Sequence, residues 1–363
     1  MKVGVRSVGF SGREGRIALC LVILGCGMVA FAESSALVLS GGGAKGAYQV
    51  GVWKAMTELG IAKDICVISG TSVGGINAAL FASVGDCQKI ESVWLDSMGD
   101  VMVVNKSKIR GVLQEGVDDF GKAVDLRDVF IRDEKQKEAQ RLGVQVEELS
   151  ADTVKTIEKK ANRGLWLSTA LSVIGRMVQR KSKVTDDPDE VEGYVDPDKL
   201  KGLIVANLPS AWTGGAPTVY VTAVEKGSWR RTEFRINNEP FNRKVDMLRA
   251  TSAIPGAFST VEIDGKSYYD GGWTDKGGDN VPGDPILKNH PEIKTVYVVY
   301  LNDEKHLGGD REDSAKYSGR RLVEIIPSKN LHGYFGALNF SADHATQLIQ
   351  LGYDDSMKVL NQK

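Results

Sequence analysis

Gly70-Thr71-Ser72-Val73-Gly74 spells G-x-S-x-G, the spacing that sets a serine hydroxyl at the apex of a sharp strand-to-helix turn. Gly70 and Gly74 remove the side chains that would clash as the chain bends, so the serine can hold a strained conformation. Such a serine does nucleophilic chemistry at an acyl carbon, and it needs a base within reach. A glycine-rich turn with a helix-capping serine would give the same five residues. The flanks favour the nucleophile: residues 65–69 are a short apolar run, and an alanine-rich helical pattern follows from 73 to about 83.

Upstream, Ser40-Gly41-Gly42-Gly43-Ala44-Lys45-Gly46 joins an apolar run at 36–40 to helical spacing over 47–59 that ends at Gly60. Residues without side chains let main-chain N–H groups converge on an anion at a helix N-terminus. In acyl transfer that anion is the tetrahedral oxyanion, and losing one donor typically costs about 3 kcal/mol of barrier. Gly41, Gly42 and Gly43 form the expected oxyanion hole, with Gly42 and Gly43 as its donors. Gly41, Gly43 and Gly46 also satisfy G-x-G-x-x-G, the dinucleotide fingerprint. That rival asks for an acidic residue at the end of the second strand, where this chain has Ser69-Gly70. Asp64 and Glu58 lie before the strand, and Ala47 after Gly46 breaks the P-loop pattern.

Asp270-Gly271-Gly272 closes a strand pattern at 266–269. Most Asp-Gly pairs are turns, as Asp264-Gly265 reads here. Two glycines after Asp270 instead let the backbone approach another segment, as a base facing Ser72 requires. A carboxylate in that role takes the serine proton, and a dry site must lift its low ordinary pKa. His290, His306, His332 and His344 stand in no distinctive motif and read as surface or loop residues. A Ser-His-Asp triad stays open, because the order found in α/β-hydrolases places the histidine last.

Two strand–turn–helix units in succession predict a parallel sheet with helices over its faces. Residues 101–197 have another texture, with charged runs at 132–141 and 158–160, and read as a mostly helical insertion. Strand patterns return at 218–224 and 233–236, in a hairpin at 261–269 and at 295–301. Residues 341–360 read as a surface helix closing the domain.

Taken together these motifs resemble the patatin-like phospholipase family. Ser40 to Gly46 is similar to its oxyanion loop, Gly70 to Ala79 to its nucleophile elbow, and Asp270-Gly271-Gly272 to its catalytic acid. Ala250-Thr251-Ser252-Ala253-Ile254-Pro255-Gly256 and Asp279-Asn280-Val281-Pro282 match as well. Order and spacing agree over 36–82 and 195–301, with a weaker echo to 353. The resemblance implies a three-layer α/β/α fold and a Ser72–Asp270 dyad without a catalytic histidine. It also implies carboxylester hydrolysis of phospholipids or lysophospholipids, with no cofactor. No zinc or calcium ligand pattern appears in the sequence. The segment at about 101–195 is longer and more charged than the family's usual connection, which bears on substrate preference more than on chemistry.

The 363 residues carry 46 basic and 47 acidic side chains, so no whole-chain field attracts nucleic acid or an anionic membrane. Membrane contact would be local. One candidate is 165–178, where Leu167, Ala170, Leu171, Ile174, Met177 and Val178 share a helical face, Trp166 stands at its start, and basic residues flank it. An insertion helix packed on the core fits the same pattern.

Lys2, Arg6, Arg13 and Arg16 precede an apolar run at 17–31, and Ala30-Phe31-Ala32 offers a cleavage site. Residues 1–32 therefore read as a signal peptide, with residues 33–363 forming the exported domain, periplasmic or secreted. A membrane anchor is the competing reading, although the run falls short of the roughly 20 residues a spanning helix needs. Lipid attachment at Cys26 is disfavoured by Leu24 two residues before it. Export leaves Cys66 and Cys87, either as a disulfide across one strand–helix unit or as two small buried residues.

Overall fold

Ser35–Leu39, Ser-Ala-Leu-Val-Leu, is buried at every position, as a strand covered on both faces must be. It is an interior strand of the sheet. The computed structural model describes residues 34–101, 135–154 without 137 and 152, and 197–361 without 213, 256, 308 and 309. The expected leader, most of the insertion and the apolar segment at 165–178 lie outside those residues.

The strands are β1 (Ser35–Leu39), β2 (Ile65–Thr71), β3 (Thr218–Glu225), β4 (Arg230–Arg235), β5 (Val261–Ile263), β6 (Lys266–Asp270), β7 (Thr295–Val299) and β8 (Arg321–Ile325). The helices are α1 (Ala47–Glu58), α2 (Val73–Ser83), α3 (Cys87–Ser92), α4 (Pro197–Asn207), α5 (Phe241–Thr251), α6 (Asp284–Asn289), α7 (Gly333–Leu338) and α8 (Ala342–Leu360). Strands β3-β2-β1-β7-β8 run parallel. The β5–β6 hairpin and β4 add antiparallel pairs to β3.

Side chains of β1 alternate between two cores. Leu37 and Leu39 join the large cluster built with α1, α2, α5 and α8, while Ala36 and Val38 face Val281, Ile286 and Tyr300 on the other side. This is a three-layer α/β/α arrangement around a mainly parallel sheet. Two cores of this kind follow from period-two alternation in a run that is apolar throughout.

Several local expectations need correction. The 341–360 segment is α8, and it is no mere surface cover. It buries Ala345, Leu348 and Ile349 and crosses α1 so tightly that a Cβ on Gly51 would lie 1.9 Å from Ile349 O. His344 is buried within it, against the surface placement expected of all four histidines. Cys66 is exposed and Cys87 half-buried, and both are free thiols, so neither the disulfide nor two buried residues is found. Strand β8 and helix α5 escaped the sequence reading because Arg321 and Glu324 interrupt one apolar pattern and Asn242-Arg243-Lys244 the other. Among the described residues no helix is long and apolar enough to cross a membrane.

Candidate active site

Strands β2 and β6 lie end to end along one edge of β3. Thr71, the last residue of β2, pairs with Thr222, and Asp270, the last residue of β6, pairs with Ala223. Strand β4 occupies the opposite edge over 220–225. Ser72 and Asp270 therefore meet at the junction of two strands that arrive from opposite directions, and both are buried.

Ser72 sits at φ 55°, ψ −127°, a conformation a non-glycine residue adopts only under constraint. Its N–H donates to Thr251 Oγ1 at 2.9 Å, and its carbonyl accepts from Gly75 and Ile76 N–H as α2 begins. Close approach explains the flanking glycines: a Cβ on Gly70 would lie 2.3 Å from Gly74 O, and one on Gly74 would lie 2.4 Å from Leu39 O. On the acid side a Cβ on Gly271 would lie 2.1 Å from Thr222 O, so only glycine lets the chain leave β6 beside β3.

Asp270 Oδ1 accepts the Gly272 N–H at 2.7 Å. Oδ2 is buried without a hydrogen-bond partner. The Ser72 hydroxyl lies beside the carboxylate and favours its ionised form, without a hydrogen bond to Oδ2. Loose resting contacts that tighten on substrate binding are common in enzymes. Burial is the dominant influence: it pushes the carboxyl pKa up to about 6 against the opposing pull of Ser72 and the Gly272 N–H.

The glycine loop enters the same space. Gly41 N donates to Asn280 O at 3.0 Å, so within the expected oxyanion loop its N–H is already used. Among the described residues Gly42 and Gly43 donate to no main-chain acceptor. Gly43 has φ +58°, and a Cβ there would lie 2.3 Å from Ala337 O of α7. Gly46 packs where a Cβ would meet Val73 and Trp94. Lys45 is buried and donates to Asn302 Oδ1 at 2.9 Å, and burial holds its ammonium below the usual range.

A buried amide network joins loop to elbow. Asn77 on α2 donates to Gly46 O at 3.0 Å and to Gln49 Oε1 at 2.9 Å, accepts from Trp94 Nε1 at 3.0 Å, and Gln49 donates to Ser40 O at 2.8 Å. The sequence signal was an asparagine inside an otherwise apolar helix. Thr251 stood in a matched motif with no role assigned, and its part emerges only from the contact with Ser72.

The histidines are engaged elsewhere. His290 contacts Tyr220 and Glu292, His306 contacts Asp303 and Asn330, and His332 and His344 face each other with ring centroids 6.0 Å apart. Among the described residues no group of three or more His, Cys, Asp or Glu side chains is placed to hold a metal ion. The second strand ends in the serine turn at Thr71, leaving no acidic residue where a ribose-binding carboxylate would stand.

The patatin-like phospholipase family profile matches residues 37–282. Lysophospholipase nte1 of Aspergillus terreus is 57% identical over 54 residues, which is 15% of this chain and 3% of that protein. Patatin-like phospholipase domain-containing protein 7 of Rattus norvegicus is 57% identical over 47 residues, 13% of this chain and again 3% of the relative. These matches thus take in only a small part of the relatives' length. Among solved structures, VipD from Legionella pneumophila aligns over 91% of this chain and 67% of its own, at 16% identity and a TM-score of 0.42.

Proposed function

This chain belongs to the patatin-like phospholipase family, and we propose that it is a serine acyl-hydrolase that cleaves carboxylester bonds of phospholipids or lysophospholipids through Ser72 and Asp270. The observation that carries the reading is the junction of β2 and β6, which sets a strained serine beside a buried carboxylate with one unpartnered oxygen.

In this mechanism Ser72 Oγ attacks the ester carbonyl carbon and its proton passes to Asp270 Oδ2. The Gly42 and Gly43 N–H groups take the negative charge that develops on the carbonyl oxygen. Collapse of the tetrahedral adduct breaks the bond to the leaving alkoxide, which takes the proton from Asp270, and leaves Ser72 acylated. Water then attacks the acyl-enzyme, gives its proton to Asp270, and the fatty acid leaves as Ser72 Oγ recovers that proton. A carboxyl pKa near 6 suits both transfers, because the group is a base near neutrality yet not too weak to accept a proton.

Ser72→Ala tests the proposal. It should abolish fluorophosphonate labelling and release of fatty acid from mixed phospholipids while leaving the fold intact. Turnover near wild type would remove Ser72 from the mechanism. A histidine-to-alanine variant that matched the loss in Ser72→Ala would replace the dyad with a triad. Export through residues 1–32 is part of the proposal, and the mass of the mature protein tests it.

A further inference from the structure

Three segments distant in sequence build the site, and all three are tied to two consecutive residues. Asp279 O accepts the Thr71 hydroxyl at 2.7 Å, immediately before the nucleophile. Asp279 N donates to Gly271 O at 2.7 Å, immediately after the acid. Asn280 O accepts the Gly41 N–H at 3.0 Å, at the head of the oxyanion loop. Asn280 Oδ1 lies in the same cleft, so close that a Cβ on Gly41 or Gly272 would fall 2.6 or 2.9 Å from it.

Residues 279 and 280 belong to no helix or strand. They follow the short turn Thr274–Lys276 and two glycines, so the local chain does little to fix them. The Asp279 carboxylate does. Its Oδ1 caps the next turn by accepting Val281 N–H at 3.0 Å, and its Oδ2 receives Arg231 Nη1 at 2.5 Å. Arg231 Nη2 reaches Asp284 Oδ2 at 2.6 Å, at the start of α6. Arg231 itself sits in β4, paired with Val224 of β3. A planar guanidinium on a paired strand thus grips the loop from both ends, a geometry that lysine's single ammonium cannot reproduce.

We propose that Arg231 is a positioning residue: through Asp279 and Asn280 it sets the mutual alignment of Ser72, Asp270 and the Gly42–Gly43 donors without touching substrate. This rests on the serine-hydrolase reading above. It differs from an ordinary surface salt bridge in what it affects. Such a pair contributes little beyond thermal stability, whereas a misalignment of about 1 Å at the reacting atoms can lower turnover on the order of 100-fold.

The test uses a soluble short-chain ester and the full chain. Arg231→Met should fold, lower kcat by about 10- to 100-fold with KM changed less than about two-fold, and slow fluorophosphonate labelling in proportion. Millimolar guanidinium should restore part of the lost kcat, and Arg231→Lys should fall between Arg231→Met and wild type. Arg243→Met, which removes contacts to Asp264 in the turn between β5 and β6 and to Glu239 just before α5, is the control and should leave kcat unchanged. If Arg231→Met does not fold, Arg231→Lys and Asp279→Asn carry the same comparison of kcat with KM. Folded variants with wild-type kcat, or an equal loss in Arg243→Met, would overturn the proposal. Ser72→Ala separates the two levels: if it stays active, the hydrolase reading fails, but if it is dead while Arg231→Met is fully active, only the positioning role falls.

Discussion

Thr251 Oγ1 accepts the main-chain N–H of Ser72 at 2.9 Å and donates its own proton to Thr222 O at 2.5 Å. The hydroxyl thereby bolts the strained elbow to β3, the strand that also carries Asp270's pairing partner. Thr251→Val keeps the shape but leaves a buried N–H and a buried carbonyl unpaired, at a cost of about 1–3 kcal/mol for each group. We expect a lower melting temperature and a fall in kcat. Thr251→Ser, which keeps the hydroxyl, should recover both. Wild-type kcat in a folded Thr251→Val would show that the elbow holds without this bond.

In the proposed mechanism Asp270 governs the pH profile. Its pKa is pushed up to about 6, chiefly by burial, so kcat/KM should fall as pH drops through about 6 and the base becomes protonated. An acid limb near pH 4 would mean a carboxylate in an ordinary aqueous environment.

The same shift makes a stability prediction with the opposite sense to activity. A carboxyl whose folded pKa lies above its unfolded value favours folding below the unfolded pKa of 3.8, and that advantage is lost as pH rises through about 6. Near pH 8 the buried charge therefore costs up to about 3 kcal/mol, from roughly two pKa units at 1.36 kcal/mol each. Asp270→Asn should be almost inactive yet melt higher than wild type near pH 8, with the difference shrinking towards pH 4. Equal melting temperatures at both pH values would contradict the burial argument.

The glycine loop separates into two tests. The three atoms nearest to a Cβ on Gly42 belong to the Leu301 side chain, the first at 2.8 Å, whereas a Cβ on Gly43 meets Ala337 O at 2.3 Å from a backbone at φ +58°. Gly42→Ala should lower kcat far more than it raises KM, with a small loss of stability. Gly43→Ala should also displace α7 and melt lower. Thermal melts beside steady-state kinetics on a soluble ester decide this, and two variants alike in melting would refute the distinction.

Asn77 is fully buried and makes three side-chain hydrogen bonds that tie α2 to α1 and Trp94. Asn77→Leu keeps the volume but leaves the Trp94 N–H, the Gln49 amide and Gly46 O without their partner. Destabilisation of about 2–4 kcal/mol is expected from the orphaned groups. Chemical denaturation measures it, and a loss below about 1 kcal/mol would show that the network relaxes around the substitution.

The sequence by itself determined the nucleophile turn, the glycine loop and the helices that follow them. In each case strand, turn and helix are consecutive, and local sterics act over a few residues: Gly70 and Gly74 are needed wherever a strand bends sharply into a helix. The buried strands were equally legible, because Ala36 to Leu39 is apolar without a break. Asp270 was named as Ser72's partner through the family resemblance, but nothing local to residues 266–272 states which segment lies opposite. That was decided by strand pairing. Strands β2 and β6 share one edge of β3, and the register Thr71–Thr222 and Asp270–Ala223 brings together residues 198 apart in sequence. Arg231, Thr251 and the occupied Gly41 N–H were hidden for the same reason. Arginine on an exposed strand and threonine at a helix end are ordinary in sequence. They acquire meaning only when long-range packing sets a guanidinium against Asp279, a hydroxyl against the Ser72 N–H and a carbonyl of Asn280 against the loop.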